Sequence, residues 1–128
     1  MSAKGAATVP ANRIRAKRIY EHAGPEDGTR VLVMRLWPRG VRKDRVDLWL
    51  RELAPVLPLM RAFRSGQMSW TDYRRQYLAG LGRAEAEEHV ERALVLAAKG
   101  PVTVICGCED ENRCHRSLLR GYLTERLL

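Results

Sequence analysis

A short β-branched run at residues 102–105 constrains the fold of this chain more than any other feature. It reads Val-Thr-Val-Ile and follows the breaker Gly100-Pro101, so it predicts a buried strand that begins after the proline. Glu109, Asp110 and Asn112 follow a few residues later, and residues of these types supply helix N-caps and acidic first turns. The stretch therefore predicts a strand, a polar turn and a helix that begins near Asn112.

The side chains with the most reactive chemistry gather in this predicted turn. All three cysteines of the chain lie at positions 106, 108 and 114, next to one of its three histidines. Ligands of open α/β sheets bind outside the carboxyl ends of the strands. A helix N-terminus and nearby arginines hold anions and lower the pKa of a thiol. The pattern predicts Cys106 or Cys114 as a nucleophile or redox thiol, with His115 as acid or base.

The same residues allow other interpretations. Cys106, Cys108, Cys114 and His115 supply four soft ligands, but structural zinc sites usually show paired ligands separated by about two to four residues. We therefore expect no metal and no other cofactor. A tyrosine-phosphatase loop is excluded, because no arginine stands at the Cys-x5-Arg distance from Cys106 or Cys108. A purely structural role stays open, with the thiols as small buried hydrophobes.

Arg35 is the second informative position. Residues 29–37 form the strongest predicted strand, since residues 31–34 are apolar on both faces, as in a central parallel strand. An arginine at the end of a buried strand is costly unless it is paired or faces a cleft. We expect this strand to be a parallel neighbour or near neighbour of residues 102–105, with Arg35 and Cys106 at one rim. The predicted anion-binding residues are Arg35, Arg39, Arg113, Arg116 and Ser117.

The other elements complete an α/β pattern. Residues 14–20 alternate weakly and predict an edge strand, and Asp44 is a candidate cap for a helix over residues 45–53. Further helices are predicted at residues 58–64, after Ser69, and at residues 83–99. The aromatic side of the helix after Ser69 could stack nucleobases, but we expect it to be core. The order of elements predicts a small, open, mainly parallel sheet flanked by helices, a three-layer α/β sandwich.

Composition limits the class of protein. The chain has 128 residues, which predicts one domain at residues 13–128, and residues 1–12 are expected to be a disordered tail without a signal-peptide core. Its 23 basic and 15 acidic residues give a net charge of +8, which favours anionic partners. The odd number of clustered cysteines excludes a secreted disulfide framework and predicts a cytoplasmic protein. No apolar run approaches the roughly 20 residues of a membrane span.

The chain resembles a known family, the domain-of-unknown-function 488 family, and within it the YeaO-like branch. The resemblance rests on strings between about Ile14 and the C-terminus. The string Leu-Trp-Pro-Arg-Gly at residues 36–40 is specific to the branch, and Cys-His-Arg-Ser at residues 114–117 is typical of the wider family. Further matching strings are Lys-Arg-Ile-Tyr at residues 17–20, Glu-Asp-Gly at 26–28, Arg-Val-Leu-Val at 30–33, Trp-Leu-Arg-Glu-Leu-Ala-Pro at 49–55 and Tyr-Arg-Arg-Gln-Tyr at 73–77.

The resemblance implies a small cytoplasmic α/β protein with a cleft between residues 35–40 and residues 106–117. It implies no established reaction. Two departures matter. Met34 stands where relatives of the branch usually carry an aspartate. After the short middle helix, where they tend to carry Gly-His-Asp, the chain reads Arg64-Ser65-Gly66-Gln67. If those groups took part in catalysis, the remaining burden would fall on Cys114, His115 and Arg116.

Two functional hypotheses follow from the sequence. The preferred one is a Cys/His/Arg site, enzyme-like or ligand-binding, for an anionic small molecule or nucleotide. The alternative is a nucleic-acid-binding or regulatory module without catalysis, which would use the basic surface. Arginines that converge on a pocket would favour the first hypothesis, and arginines spread over a convex face would favour the second.

Overall fold

A computed structural model describes residues 13–127, so the expectation of a disordered tail at residues 1–12 lies outside the described residues. The described chain forms a sheet of four strands, all parallel, in the order β1-β4-β2-β3. The strands are β1 (Ile14–Arg18), β2 (Thr29–Leu32), β3 (Leu48–Trp49) and β4 (Val102–Cys106). The α-helices are α1 (Leu57–Arg64), α2 (Trp70–Leu81), α3 (Ala84–Lys99) and α4 (His115–Leu127).

The predicted neighbourhood of the two main strands is confirmed. β4 lies between β1 and β2, and Thr29 pairs with Val102 while Leu32 pairs with Ile105. All five residues of β4 are buried, as a central parallel strand requires. The weakly alternating strand β1 lies at the edge, as predicted. The carboxyl ends of β2 and β4 therefore meet at one rim of the sheet.

The two faces of the sheet are covered differently. One face carries the larger core, to which α2, α3 and α4 contribute residues such as Tyr77, Val90 and Leu119. On the other face, Ile19, Leu32 and Ile105 form a small core. That core is covered by partly buried side chains: Met34, Trp37, Val41, Val46 and Trp49. The α/β sandwich predicted from the sequence is therefore confirmed, with the layer on its second face built from loop and a 3-10 turn at Lys43–Arg45.

The predicted helix over residues 45–53 is wrong. That segment is the edge strand β3, which lies between 3-10 turns at Lys43–Arg45 and Arg51–Leu53. The amide of Asp47 donates to the Arg30 carbonyl at 2.9 Å, and the amide of Leu50 donates to the Leu32 carbonyl at 2.9 Å. Pairing with the open edge of β2 satisfies these amides, so long-range pairing overrides a local pattern that suits a helix.

The helices predicted at residues 58–64, after Ser69 and at residues 83–99 are confirmed as α1, α2 and α3. Ser69 caps α2, because its side-chain oxygen accepts a hydrogen bond from the amide of Asp72 at 3.1 Å. Tyr73 and Tyr77 on this helix are both 3% exposed, so the aromatic side of α2 is core. None of the helices in residues 13–127 is both long and apolar enough to cross a bilayer.

One buried group of charges was not predicted from the sequence. Asp27 is 1% exposed, and its two carboxylate oxygens face the ammonium group of Lys17 and the guanidinium group of Arg30. Gly28 has a φ of 63°, and a Cβ atom there would lie 2.1 Å from the Pro101 carbonyl oxygen. The Asp-Gly pair therefore makes a tight turn against the start of β4. We call Asp27, Lys17 and Arg30 the charge cluster.

Candidate functional site

The three cysteines converge where β4 ends. Cys106 is the last residue of β4, Cys108 lies in the following turn and Cys114 immediately precedes α4. The sulfur atoms of Cys106 and Cys114 are 3.0 Å apart, and both residues are buried. His115 and Arg116 open the helix and are also buried. We call these five residues the cysteine cluster.

The helix begins later than the sequence suggested. Its first residue is His115 rather than Asn112, and a 3-10 turn at Glu111–Arg113 comes before it. Asp110 caps that turn by accepting the amide of Asn112 at 2.9 Å. Cys114 is consequently extended, with φ −134° and ψ 142°, and lies outside the first helical turn where it was expected. This extended residue lets the sulfur of Cys114 reach Cys106.

Arg116 occupies the centre of the cluster. Its Nη1 atom donates to the carbonyl oxygen of Cys108 at 2.6 Å, and lies 3.3 Å from the sulfur of Cys106 and 3.5 Å from that of Cys114. The side chain of Arg116 is buried, with only 3% of its surface exposed. A buried guanidinium is costly without a counter-charge. The nearest group that can supply one is a thiolate.

The pKa of Cys106 is the lowest of the three thiols, so Cys106 is the one that supplies the negative charge. Side-chain hydrogen bonds from Cys108 and Cys114 lower the pKa of Cys106 well below its usual range, against the opposing effect of burial. The interaction with Cys106 raises the pKa of Cys108 to about 11 and that of Cys114 far above its usual range. Of the two thiols that the sequence left open as nucleophile, this order favours Cys106 over Cys114. The thiol of Cys114 therefore acts as a donor to Cys106.

The same charge explains the state of Arg116. Burial alone would lower the pKa of the Arg116 guanidinium, but the hydrogen bond to Cys106 and the charges of the neighbouring thiols raise it overall. Arg116 and Cys106 thus form a buried pair of opposite charges at the end of the central strand.

His115 is held in a defined orientation. Its Nε2 atom lies 2.6 Å from the carbonyl oxygen of Val33, which can only accept, so Nε2 carries a proton. Its Nδ1 atom lies 3.9 Å from the sulfur of Cys114. The ring of Tyr77 packs edge-on against the imidazole, with the centroids 5.7 Å apart. The free ring nitrogen of His115 therefore faces the thiols.

Two adjoining cavities open beside the cluster. The smaller one, of about 100 Å³, is lined by Arg35, Arg64, Cys106 and His115 among others. The larger one, of about 330 Å³, is lined by Arg64, Arg113 and Tyr73, and shares Cys108 and His115 with the first. Arg35 is fixed at the wall because it donates to the carbonyl oxygens of Ala54 and Pro55, at 3.1 and 3.3 Å.

The remaining predicted residues divide into two groups. Arg35 and Arg113 line the cavities, whereas Arg39 lines neither and is exposed. Ser117 also lines neither cavity, and its hydroxyl donates to the Glu111 carbonyl oxygen at 2.7 Å. Arg64 was missed by the sequence reasoning, although it lines both cavities. Its position at the end of a short helix, directly before a departure from the family pattern, was the available signal.

A family model described as the active DUF488-N3 subclade matches residues 14–127. The chain belongs to the DUF488 family. The resemblance proposed from sequence motifs is confirmed.

Two relatives of this DUF488 protein illustrate its branch. The uncharacterised protein YeaO of Escherichia coli (strain K12) is 36% identical over 112 residues, which make up 86% of this chain and 96% of YeaO. The uncharacterised protein Rv3073c of Mycobacterium tuberculosis (strain ATCC 25618 / H37Rv) is 31% identical over 116 residues, or 89% of this chain and 96% of Rv3073c. No solved structure matches the chain. The DUF488 protein is thus YeaO-like, and its relatives' names state no function.

The structure shows where one departure from the family pattern lies. Met34 lines the smaller cavity of this DUF488 protein, together with Cys106 and Arg35. Its carbonyl oxygen accepts a hydrogen bond from the indole of Trp49 at 2.6 Å. A residue at this position therefore faces the cysteine cluster, and an acidic residue there would add a negative charge beside the sulfur of Cys106.

The cluster is also a potential set of metal ligands. Cys106, Cys108, Cys114 and His115 each offer one ligand atom, and these atoms all lie within 4.8 Å of one another. Their chemistry is soft, with three sulfur atoms and one imidazole nitrogen.

Proposed function

We propose that this DUF488 protein is a cysteine-dependent enzyme that acts on an anionic small molecule, with Cys106 as its nucleophile. One observation carries the proposal. The sulfur of Cys106 lies at the carboxyl end of the central strand, 3.3 Å from the Arg116 guanidinium, and lines a cavity that also holds Arg35 and Arg64. A nucleophile and cationic groups around one cavity suit a substrate with a negative group beside the reacting atom.

The roles of the neighbouring groups follow from their contacts. Arg116 stabilises the sulfur anion, and Cys114 donates to it from 3.0 Å. The Cys106 sulfur would form a bond to an electrophilic centre of the substrate while the leaving group departs with its electron pair. His115 lines the same cavity, and protonation of its Nδ1 atom would allow it to give a proton to that leaving group.

The positions of the arginines favour this proposal over a nucleic-acid-binding module. Arg35, Arg64 and Arg113 lie around the two adjoining cavities instead of spreading along one convex face. Arg39 lies outside both cavities and is exposed. Convergence on a pocket was the criterion that favours a site for an anionic small molecule, and the positions of these arginines therefore support such a site over a nucleic-acid-binding surface.

Protection of Cys106 by an anion tests the proposal without knowledge of the substrate. Metal-free, reduced protein is treated with iodoacetamide, and the alkylation rate of each cysteine is followed by peptide mapping, with and without inorganic phosphate. We expect phosphate to slow alkylation of Cys106 at least severalfold. Arg35→Gln and Arg64→Gln should reduce this protection, whereas the matched control Arg39→Gln should retain it.

Two results would overturn the proposal. One is a Cys106 that phosphate does not protect at any concentration, together with Arg35→Gln and Arg39→Gln proteins that behave alike. The other is a Cys106 that reacts only after denaturation, because a nucleophile must be reachable through its cavity.

A further inference from the structure

The cysteine cluster has the composition and spacing of a metal centre. Three of its four potential ligands, Cys106, Cys114 and His115, are buried, and Cys108 is partly buried. We propose that Cys106, Cys108, Cys114 and His115 bind one thiophilic divalent cation, with Zn²⁺ as the best match, in a Cys3His site. The metal site goes beyond the proposed function and does not depend on it. Only the expected effect of the bound metal on enzyme activity rests on the proposed function.

The distances between the donor atoms fit a tetrahedral site after small adjustments. With Zn–S bonds of about 2.3 Å, the sulfur atoms of a tetrahedral centre lie roughly 3.8 Å apart. The four donor atoms here lie within 4.8 Å of one another, the sulfur atoms of Cys106 and Cys114 are 3.0 Å apart, and the sulfur of Cys114 is 3.9 Å from Nδ1 of His115. These distances bracket the tetrahedral spacing, so small side-chain rotations that move the donor atoms by about 1 Å would form the site.

His115 already has the orientation of a metal ligand. Metal-binding histidines usually donate their other ring N–H to a carboxylate or a backbone carbonyl, which fixes the tautomer. Here Nε2 of His115 donates to the carbonyl oxygen of Val33 at 2.6 Å. The lone pair of Nδ1 is therefore available on the side of the ring that faces the sulfur atoms.

The local backbone brings together two ligands that are adjacent in the sequence. In a regular helix, the side chains of Cys114 and His115 would point about 100° apart and could not easily bind one ion. Cys114 is extended, however, and His115 is the first residue of α4, so the two side chains reach the same place from different backbone conformations. Cys106 arrives from the strand and Cys108 from the turn between them.

Arg116 balances the charge of such a site. Three thiolates, one neutral imidazole and a divalent cation carry a net charge of −1 when each group has its usual charge. The Nη1 atom of Arg116 lies 3.3 and 3.5 Å from two of the sulfur atoms and donates to the Cys108 carbonyl. Soft sulfur and imidazole donors favour Zn²⁺ over Mg²⁺ or Ca²⁺. A bound Zn²⁺ would occupy the sulfur of Cys106, so the metal-bound protein would be inactive in the proposed reaction and only the metal-free protein could carry it out.

Titration with Co²⁺, a spectroscopic substitute for Zn²⁺, tests the site. Reduced, metal-free protein is titrated while thiolate-to-cobalt charge-transfer and tetrahedral d–d absorption are recorded. We expect saturation at one Co²⁺ per chain and displacement by one equivalent of Zn²⁺, with no displacement by Mg²⁺. Cys108→Ser should weaken binding at least about tenfold, because it removes one ligand. Cys108 is chosen because it is only partly buried, so its substitution should leave the fold intact. The exposed His22→Asn protein is the matched control and should bind as the wild type does.

Any of three results would overturn the metal site. The first is a spectrum without thiolate-to-cobalt bands at excess Co²⁺, and the second is a Cys108→Ser protein that binds Co²⁺ like the wild type. The third is a disulfide between Cys106 and Cys114 that persists under reducing conditions. Alkylation of metal-free protein separates the two proposals. A reactive, phosphate-protected Cys106 with no Co²⁺ binding removes only the metal site, whereas Co²⁺ binding with an inert Cys106 removes only the enzyme.

Discussion

Two buried polar clusters in one small sheet follow different physical rules. In the charge cluster, each carboxylate oxygen of Asp27 faces a cation, one from Lys17 and one from Arg30. In the cysteine cluster, one guanidinium, that of Arg116, serves two sulfur atoms and a carbonyl oxygen. In the first arrangement, one carboxylate pairs with two cations through separate oxygen atoms. The second concentrates sulfur donors around a single cation.

Their surroundings differ in the same way. Asp27 and Arg30 line neither of the two cavities beside the cysteine cluster, whereas Cys106, Cys108 and His115 do. Paired charges without access to a ligand contribute to the stability of the fold. Soft donors beside a cavity can exchange their contacts for those of a substrate or a metal. We therefore infer that the charge cluster stabilises the fold and that the cysteine cluster carries the chemistry.

Removal of the Asp27 carboxylate should have the largest effect on stability. Asp27→Ala leaves Lys17 and Arg30 without their counter-charge inside the protein, which typically costs about 3–5 kcal/mol. Urea unfolding of the variant and the wild type measures this difference. The alkylation rate of Cys106 in the folded variant should stay within about twofold of the wild-type rate, since additivity holds for separate sites. A loss of stability below about 1 kcal/mol would contradict the structural assignment.

Removal of the Arg116 charge should affect reactivity more than stability. Arg116→Met keeps an unbranched side chain but takes the cation away from Cys106. Loss of a nearby opposite charge should raise the pKa of Cys106, so the pH at which its alkylation sets in should move upward by about 1–3 units. The pH profile of Cys106 alkylation measures the shift. An unchanged profile would show that Arg116 does not stabilise the thiolate.

Acid should weaken the charge cluster. Lys17, Arg30 and the Gly24 amide lower the pKa of Asp27 despite the opposing effect of burial. A carboxyl group whose pKa is lowered by folding stabilises the protein above its unfolded pKa of about 3.9 and loses that contribution as the pH falls through the folded pKa. The stability difference between the wild type and Asp27→Asn should therefore shrink below about pH 4. Unfolding series at several pH values would refute this if the difference stayed constant.

Asp44→Ala should have the smallest effect. Asp44 forms an ion pair with Arg42 at 3.1 Å, and both side chains are mostly exposed. Such pairs contribute about 0–1 kcal/mol. The sequence pattern instead predicts Asp44 as a helix cap, and removal of such a cap typically lowers the free energy of unfolding by about 1 kcal/mol. A change below about 0.5 kcal/mol in urea unfolding agrees with the structure, and a clear loss of about 1 kcal/mol or more would indicate a capping role.

The sequence specified the location of the cysteine cluster better than its internal geometry. Strand β4, its parallel neighbour β2 and the common rim of Arg35 and Cys106 followed from apolar runs and from the rules of parallel sheets. Local patterns could not show that Arg116 turns inward, because its partners Cys106 and Cys108 lie on other elements.

Long-range partners explain the other differences too. Residues 45–53 fit an amphipathic helix locally, and only the open edge of β2 makes them a strand between turns. Asp27 stands before Gly28 in an Asp-Gly pair, which is a local turn signal. Its burial depends on Lys17 from β1 and Arg30 from β2, which no local window shows.

The proposed nucleophilic role of Cys106 rests on the charge state of the three sulfur atoms. Selective ¹³Cβ labelling of cysteine, with resonances assigned through the Cys106→Ser, Cys108→Ser and Cys114→Ser proteins, reports each thiol by NMR without any need for reagent access. In metal-free, reduced wild-type protein, we predict a thiolate shift for Cys106 at neutral pH and a thiol shift for Cys114. Neither signal should titrate between about pH 6 and about pH 9, around the usual thiol pKa of about 8.5. A thiol shift for Cys106 at neutral pH, or the thiolate shift on Cys114, would contradict the account.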